Sequence, residues 1–177
     1  MKYLIISDIH GSSKYLEMLI KKEVDFDKLI ILGDILYHGP RNDLPNGHNP
    51  KEVMEILNSI KDKIIAVRGN CDAKIDLDVL EFKIENHKWI TIGDKDIFLT
   101  HGDVYSKDSL IDDEKEYVML YGHYHINQLT QVNNVMAINV GSISLPKDGY
   151  HSYGVINEGV LTLYDLVNEK IIFSVSL

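Results

Sequence analysis

Three short apolar runs, Lys2–Ser7, Lys28–Leu32 and Lys63–Val67, alternate with two stretches of helical period in the first seventy residues. That alternation restricts the fold more than any other feature. A strand, a helix and a second strand in succession need a crossover, so the pattern predicts a parallel βαβαβ sheet. Ser12 or Ser13 stands where it would cap the first helix, whose apolar face is Leu16, Leu19 and Ile20. Pro50 opens the second helix, with Val53, Met54, Ile56 and Leu57 inward. A long polar loop, Tyr37 to Asn49, precedes it and carries Gly39-Pro40 and Asn46-Gly47 as turn chemistry.

The second half predicts strands at Val79–Ile84, Trp89–Ile92, Ile97–Thr100, Tyr117–Tyr121, Leu129–Val132, Val135–Val140, Ser152–Ile156, Val160–Asp165 and Ile171–Val175. Their close spacing, with Asn133-Asn134 and Glu158-Gly159 as hairpin turns, predicts a largely antiparallel sheet. Two sheets face to face, helices outside, would make a single domain over 1–177. No Pro- or Gly-rich linker or internal repeat divides the chain.

Charge narrows the function. Against 27 acidic residues stand 18 basic ones, a net charge of −9. Binding a nucleic-acid polymer needs clustered Lys and Arg, so such a partner is not expected. The acidic run Asp108–Glu116 reads as a solvated face. Cys71 is the one cysteine, which excludes an internal disulfide and suits a reducing cytoplasm. The apolar run Tyr3–Ile6 is too short for a signal peptide. Residues 117–146 lack Asp, Glu, Lys and Arg, but His123, His125, Asn127, Gln128 and Gln131 forbid a membrane span. A cytoplasmic protein without a membrane partner is expected, and homo-oligomerisation is left open.

The chemistry falls at strand ends. Asp8 and His10 follow the first strand, Asp34 the second and Asn70 the third; His101, His123 and His125 follow strands of the second half. Ligands of open α/β sheets bind at that carboxyl edge. Alone, each of these residues reads as a turn or a hydrogen-bonded side chain. Together they offer two carboxylates, an amide and four imidazoles. Seven ligands exceed what one ion uses with room for substrate. Two ions about 3.5–4 Å apart, a known arrangement for displacement at phosphorus, account for them.

Asp8-Ile9-His10, Gly33-Asp34, Gly69-Asn70-Cys71-Asp72, Thr100-His101-Gly102 and Gly122-His123-Tyr124-His125 resemble the ordered motifs of the calcineurin-like metallophosphoesterases. Within that family, Gly33–Asn42, Leu44-Pro45, Ala66–Asp72 and Asn139–Lys147 resemble the YfcE-type bacterial phosphodiesterases. The resemblance implies a four-layer α/β-β/α sandwich, two mixed sheets flanked by helices. It further implies that Asp8, His10, Asp34 and His125 hold one metal, and Asp34, Asn70, His101 and His123 the other. Asp34 would bridge. Two Mn²⁺ ions are the first expectation, with Zn, Fe, Co or Ni as alternatives.

The implied reaction is hydrolysis of a small phosphate diester by hydroxide activated between the two ions. Many relatives carry histidine after the motif asparagine, where Cys71 stands here; a neutral thiol is a poor general acid, which favours a diester over an alkyl monoester. His38 and Arg41, on the loop beside Asp34, are candidates for contacting substrate. Asp103 is a candidate for orienting a ligand histidine. The alternatives are a phosphomonoesterase and a non-catalytic protein-binding scaffold of the same fold.

Overall fold

The computed structural model describes residues 1–112 and 114–177, so Asp113 of the acidic run lies outside the described residues. The expected βαβαβ unit opens the chain: β1 (Tyr3–Ile6), α1 (Ser13–Lys22), β2 (Lys28–Ile31), α2 (Pro50–Ser59) and β3 (Ile64–Val67). A one-turn helix α3 (Lys74–Leu77) and the two-residue strand β4 (Ile84–Glu85) follow. Then come β5 (Lys88–Ile92), β6 (Lys95–Leu99), β7 (Tyr117–Tyr121), β8 (Asn127–Val132) and β9 (Val135–Val140). The chain closes with β10 (Ser152–Asn157), β11 (Val160–Asp165) and β12 (Lys170–Ser176).

Two mixed sheets result. One has seven strands in the order β12-β11-β10-β1-β2-β3-β4, parallel from β1 through β4 and antiparallel from β1 outward through β10, β11 and β12. The other has five in the order β5-β6-β7-β9-β8. Here the antiparallel expectation needs correction, because β7 pairs parallel with both β6 and β9. The long excursion between β6 and β7 returns the chain to the same end, which a hairpin cannot do. The last three strands also leave this sheet and extend the first one.

The parallel strands β1, β2 and β3 are covered on both faces, which explains their unbroken apolar runs. Leu4, Ile6, Leu29 and Ile31 face Leu16, Leu19, Val53 and Leu57 of the two helices. Ile5, Ile30 and Val67 face Leu99, Leu120 and Val140 of the other sheet. Burying each such side chain contributes about 1.5–3 kcal/mol. On the far face of the five-stranded sheet, Phe98, Met119 and Tyr121 pack under Tyr105, Leu110 and Ile111, so irregular chain supplies that layer. No helix among the described residues is long and apolar enough to cross a membrane.

Two local expectations fail. The serine cap on α1 is not made: Ser12 Oγ donates to Asn46 O at 2.7 Å and Ser13 Oγ to Gly47 O at 3.3 Å. The polar loop packs beside the helix start and offers carbonyls to both hydroxyls. Val79–Ile84 is not a strand, for only Ile84 and Glu85 pair with β3. The Asn58 side chain donates to Val79 O and accepts from Glu81 N, fixing a bend where a ladder was expected.

The end of α1 is tied to the sheet through Glu23, which pairs with Lys2 Nζ at 2.7 Å and accepts from Tyr153 Oη at 2.8 Å. Burial raises the Glu23 pKa, but Lys2 and Tyr153 outweigh it and hold the carboxyl below its usual range. A depressed carboxylate contributes stability above its unfolded pKa and loses it as pH falls through the folded value. Glu23→Gln is therefore expected to lower the melting temperature at pH 7, by less than about 1 kcal/mol of stability after solvent screening. Thermal melts at pH 7 and pH 3 check this, the difference closing at the acid end.

Candidate metal centre

The carboxyl ends of β1, β2, β3, β6, β7 and β9 meet at one edge, and every expected ligand lies in the turn after one of the first five. The backbone there is unusual. Asp8, His10, Asp34, His123 and His125 all have positive φ, between 47° and 66°. Side-chain-bearing residues rarely adopt this conformation, at a cost of order 1–3 kcal/mol each, and such strain collects at functional sites. Among the described residues three further non-glycine positions share it, Asn133, Glu158 and Glu169, and all three occupy turns between antiparallel neighbours.

Backbone carbonyls fix the imidazoles. His10 Nδ1 lies 2.9 Å from Tyr37 O, His101 Nδ1 2.7 Å from Leu32 O, and His125 Nδ1 2.6 Å from Leu145 O. A carbonyl only accepts, so each Nδ1 carries hydrogen and each neutral ring turns an Nε2 lone pair inward. Those lone pairs meet other acceptors. His10 Nε2 is 3.3 Å from His125 Nε2, and His125 Nε2 is 3.1 Å from Asp8 Oδ1. His101 Nε2 is 3.0 Å from Asn70 Oδ1, 3.3 Å from His123 Nδ1 and 3.4 Å from Asp34 Oδ2. Asp8 Oδ1 is fully buried without a hydrogen-bond donor.

Electron pairs packed against one another need positive charge between them. A proton on one nitrogen relieves one contact; a cation relieves several at once. The donor set, imidazole nitrogens with carboxylate and amide oxygens, fits divalent ions of the Mn-to-Zn series. Asp34 Oδ2 stands between the two groups, 3.4 Å from His101 Nε2 and 3.7 Å from His10 Nε2. The two groups are thus Asp8, His10 and His125 on one side and Asn70, His101 and His123 on the other.

The electrostatics agree. Burial pushes the Asp8 carboxyl up, but the close imidazoles of His10 and His125, with His101 behind them, override it and hold it well below the carboxylate range. Burial likewise opposes ionisation of Asp34, and His101 overrides it. Burial lowers His101, yet Asp34 and Asp8 drive it up to about 10, so a proton on its Nε2 is the simplest of the cations that this cluster draws in. This is a pocket that attracts cations. Cys71 is different: burial and the Asp34 charge push its thiol up to about 12, so it stays protonated at neutral pH.

The turns are locked by groups that the motifs do not announce. Asp72 accepts from the backbone N–H of Asp34, Ile35 and Gly69, each at 2.8 Å, joining the ends of β2 and β3. Ser142 and Ser144 both donate to Asp8 O at 2.9 Å. Asp8 Oδ2 accepts from His123 N at 2.9 Å, linking the two sheets. Asp72, Ser142 and Ser144 all stand in stretches that carry the resemblance and could be suspected from it; the carbonyls have no signal in the sequence.

Beside this centre a cleft of about 840 Å³ opens, lined by Asp34, Cys71, His123 and His125 together with Tyr37, Arg41 and Tyr124. Arg41, a substrate-contact candidate, thus lines the cleft. His38 does not line the cleft; its ring stands edge-on to Tyr37 and His48, at 4.9 and 5.6 Å. Asp103 is exposed in a neighbouring depression, and Leu32 O orients His101 in its stead.

The model of the calcineurin-like phosphoesterase superfamily domain matches residues 1–158. Phosphodiesterase YfcE of Escherichia coli K12 is 39% identical over 184 aligned positions, covering 100% of this chain and 98% of that one. The solved structure of YfcE, described as a phosphoesterase, matches with a TM-score of 0.92 and 39% identity, covering 99% of both chains. The probable metallophosphoesterase YsnB of Bacillus subtilis is 30% identical over 155 positions, 83% of this chain and 78% of that one. Vps29 of Entamoeba histolytica, solved with zinc, shares the fold at a TM-score of 0.62 and 20% identity, covering 99% of both. The chain belongs to the calcineurin-like phosphoesterase superfamily, in its YfcE-type branch.

Proposed function

We propose that this chain, working as one domain over residues 1–177, is a metal-dependent phosphodiesterase that hydrolyses a small phosphate diester. The observation that carries the reading is the Asp34 carboxylate, one oxygen of which faces histidines of both ligand groups. Asp8, His10, Asp34 and His125 would hold one divalent ion, and Asp34, Asn70, His101 and His123 a second, Mn²⁺ being the ion proposed for both. Bound there, the pair supplies Lewis acidity toward the phosphoryl oxygens and lowers the pKa of water to near neutrality.

The residues do the rest. Carbonyl-fixed imidazoles and the Asp72-locked turns hold the donors rigid, so little reorganisation accompanies charge development at phosphorus. The open cleft admits a diester whose P–O bond to the leaving group breaks as an oxygen of water bonds to phosphorus. Cys71, a neutral thiol beside the bridge, does not offer the proton of an imidazolium to an alkyl leaving group. An activated leaving group or a diester suits it better. The protein-binding scaffold has less support, because every ligand position holds a competent donor.

The test is turnover of bis(4-nitrophenyl) phosphate and 4-nitrophenyl phosphate by metal-stripped protein, with and without Mn²⁺. Diester cleavage is expected to rise at least about a hundredfold with Mn²⁺ and to exceed monoester cleavage. Faster monoester cleavage would overturn the substrate class, and no metal-dependent turnover would favour the scaffold.

A further inference from the structure

The chain has only two arginines, Arg41 and Arg68, and both line the cleft beside the ligand centre. Lys147 joins them there. In a chain of net charge −9, carboxylates are available to neutralise cations, and surface lysines such as Lys21, Lys61 and Lys88 stand beside Glu17, Glu81 and Glu85. Arg41, Arg68 and Lys147 make no ion pair among the described residues.

Each is anchored through segments that carry ligand residues. Arg68 Nε donates to Asp72 O at 2.8 Å, leaving the two terminal nitrogens of its fork for a partner. Arg41 projects from the turn His38–Asn42, which is closed by Asn42 Nδ2 donating to His38 O at 2.7 Å. That turn packs on the Asn70 loop: a Cβ added to Gly39 would lie 3.0 Å from Cys71 Sγ. The two arginine-bearing segments therefore meet at Cys71. Lys147 N donates to His125 O at 2.9 Å, which ties the third cation to a ligand residue.

Asp34 and Asp72 also line the cleft, but Asp72 is occupied by three backbone N–H groups and Asp34 faces the ligand histidines, so the three cations repel one another unless an anion joins them. The scissile diester carries a single negative charge, and the cation-seeking centre already answers it. A planar fork matches phosphate oxygens two at a time, and a phosphomonoester carries about −1.5 to −2. We infer that Arg41, Arg68 and Lys147 form a subsite for a second phosphate, a phosphomonoester borne on one arm of the diester substrate. This inference rests on the phosphodiesterase reading, and the test separates the two.

The probes are the 4-nitrophenyl ester of thymidine 5′-phosphate and the same ester carrying a 3′-phosphate, with the Mn²⁺-loaded enzyme. The added phosphate is expected to lower KM about thirtyfold, an advantage that shrinks as salt rises. Arg41→Gln and Arg68→Gln each remove most of that advantage, read as the ratio of kcat/KM between the two esters. Arg68→Lys restores only part, since an ammonium lacks the fork. Calorimetric titration with thymidine 3′,5′-bisphosphate and thymidine 5′-monophosphate gives the same ratio without turnover. Equal KM values, or an advantage unmoved in both glutamine variants, overturn the subsite while the phosphodiesterase stands. Arginine-dependent preference for the bisphosphate without cleavage of either ester upholds the subsite and rejects the phosphodiesterase. Equal binding without cleavage rejects both.

Discussion

Asp34→Asn is expected to lower Mn²⁺-dependent cleavage of bis(4-nitrophenyl) phosphate by about a thousandfold or more, since two-ion electrostatics would supply most of the barrier reduction. The substitution keeps shape and one essential bond. Asp34 Oδ1 accepts from Cys71 N at 2.8 Å, and an amide oxygen placed there accepts equally well. What disappears is the charge on Oδ2, the atom that faces His10 and His101 together. An Asn nitrogen turned toward those lone pairs binds no cation. Wild-type protein should bind two Mn²⁺ ions by calorimetry and melt at a higher temperature with Mn²⁺, because a ligand that binds only the folded state stabilises it. The variant should remain folded by circular dichroism, bind fewer ions and gain less from them. Wild-type turnover by a folded Asp34→Asn protein would reject the bridge, and with it the account of how one carboxylate serves both ligand groups.

Much of this was legible in the sequence, for identifiable reasons. Parallel strands buried on both faces leave unbroken apolar runs, so the sequence marks β1, β2 and β3 nearly to their ends. The candidate ligands Asp8, Asp34 and Asn70 follow those runs directly, and His101 follows the apolar run of β6, which is why the sequence alone nominates them. The resemblance of the motifs supplied the division into two groups.

Other features left no trace because backbone atoms make them. The carbonyls of Leu32, Tyr37 and Leu145 decide which imidazole nitrogen faces inward, and any residue type offers a carbonyl. Val79–Ile84 misled through composition: its apolar residues suit a strand, but a single side chain, Asn58, holds the backbone in a bend. His38 misled through proximity in sequence, since a loop that brings Arg41 to the cleft turns the neighbouring ring toward His48. Nothing in the sequence singles out Arg68 within the stretch Ala66–Asp72. Only its place in the cleft distinguishes it from a solvated side chain.

The exits of β2 and β3 touch, and Gly69→Ala tests how much depends on that contact. A Cβ at Gly69 would lie 2.1 Å from Asp34 Oδ1 and 2.4 Å from Asp34 N. A carboxylate can rotate away; a backbone nitrogen cannot. Gly33 closes the other side, its own added Cβ falling 2.5 Å from Gly69 N. The strands must then part, and the Asp72 carboxylate, bonded to the N–H of both Asp34 and Gly69, cannot span the wider gap. The expected cost is about 3 kcal/mol or more, measured by urea denaturation. Activity should fall about a hundredfold, the usual consequence of a displacement near 1 Å among reacting groups. Gly93→Ala separates this clash from backbone strain: its φ is 66° and its added Cβ meets nothing within 4 Å. It should cost about 1–2 kcal/mol from the left-handed backbone alone and leave turnover intact. If Gly69→Ala proved no more costly than Gly93→Ala and equally active, the two strand ends would be free to move, and the rigidity assigned to the Asp72 lock would not be what holds Asp34 beside Asn70.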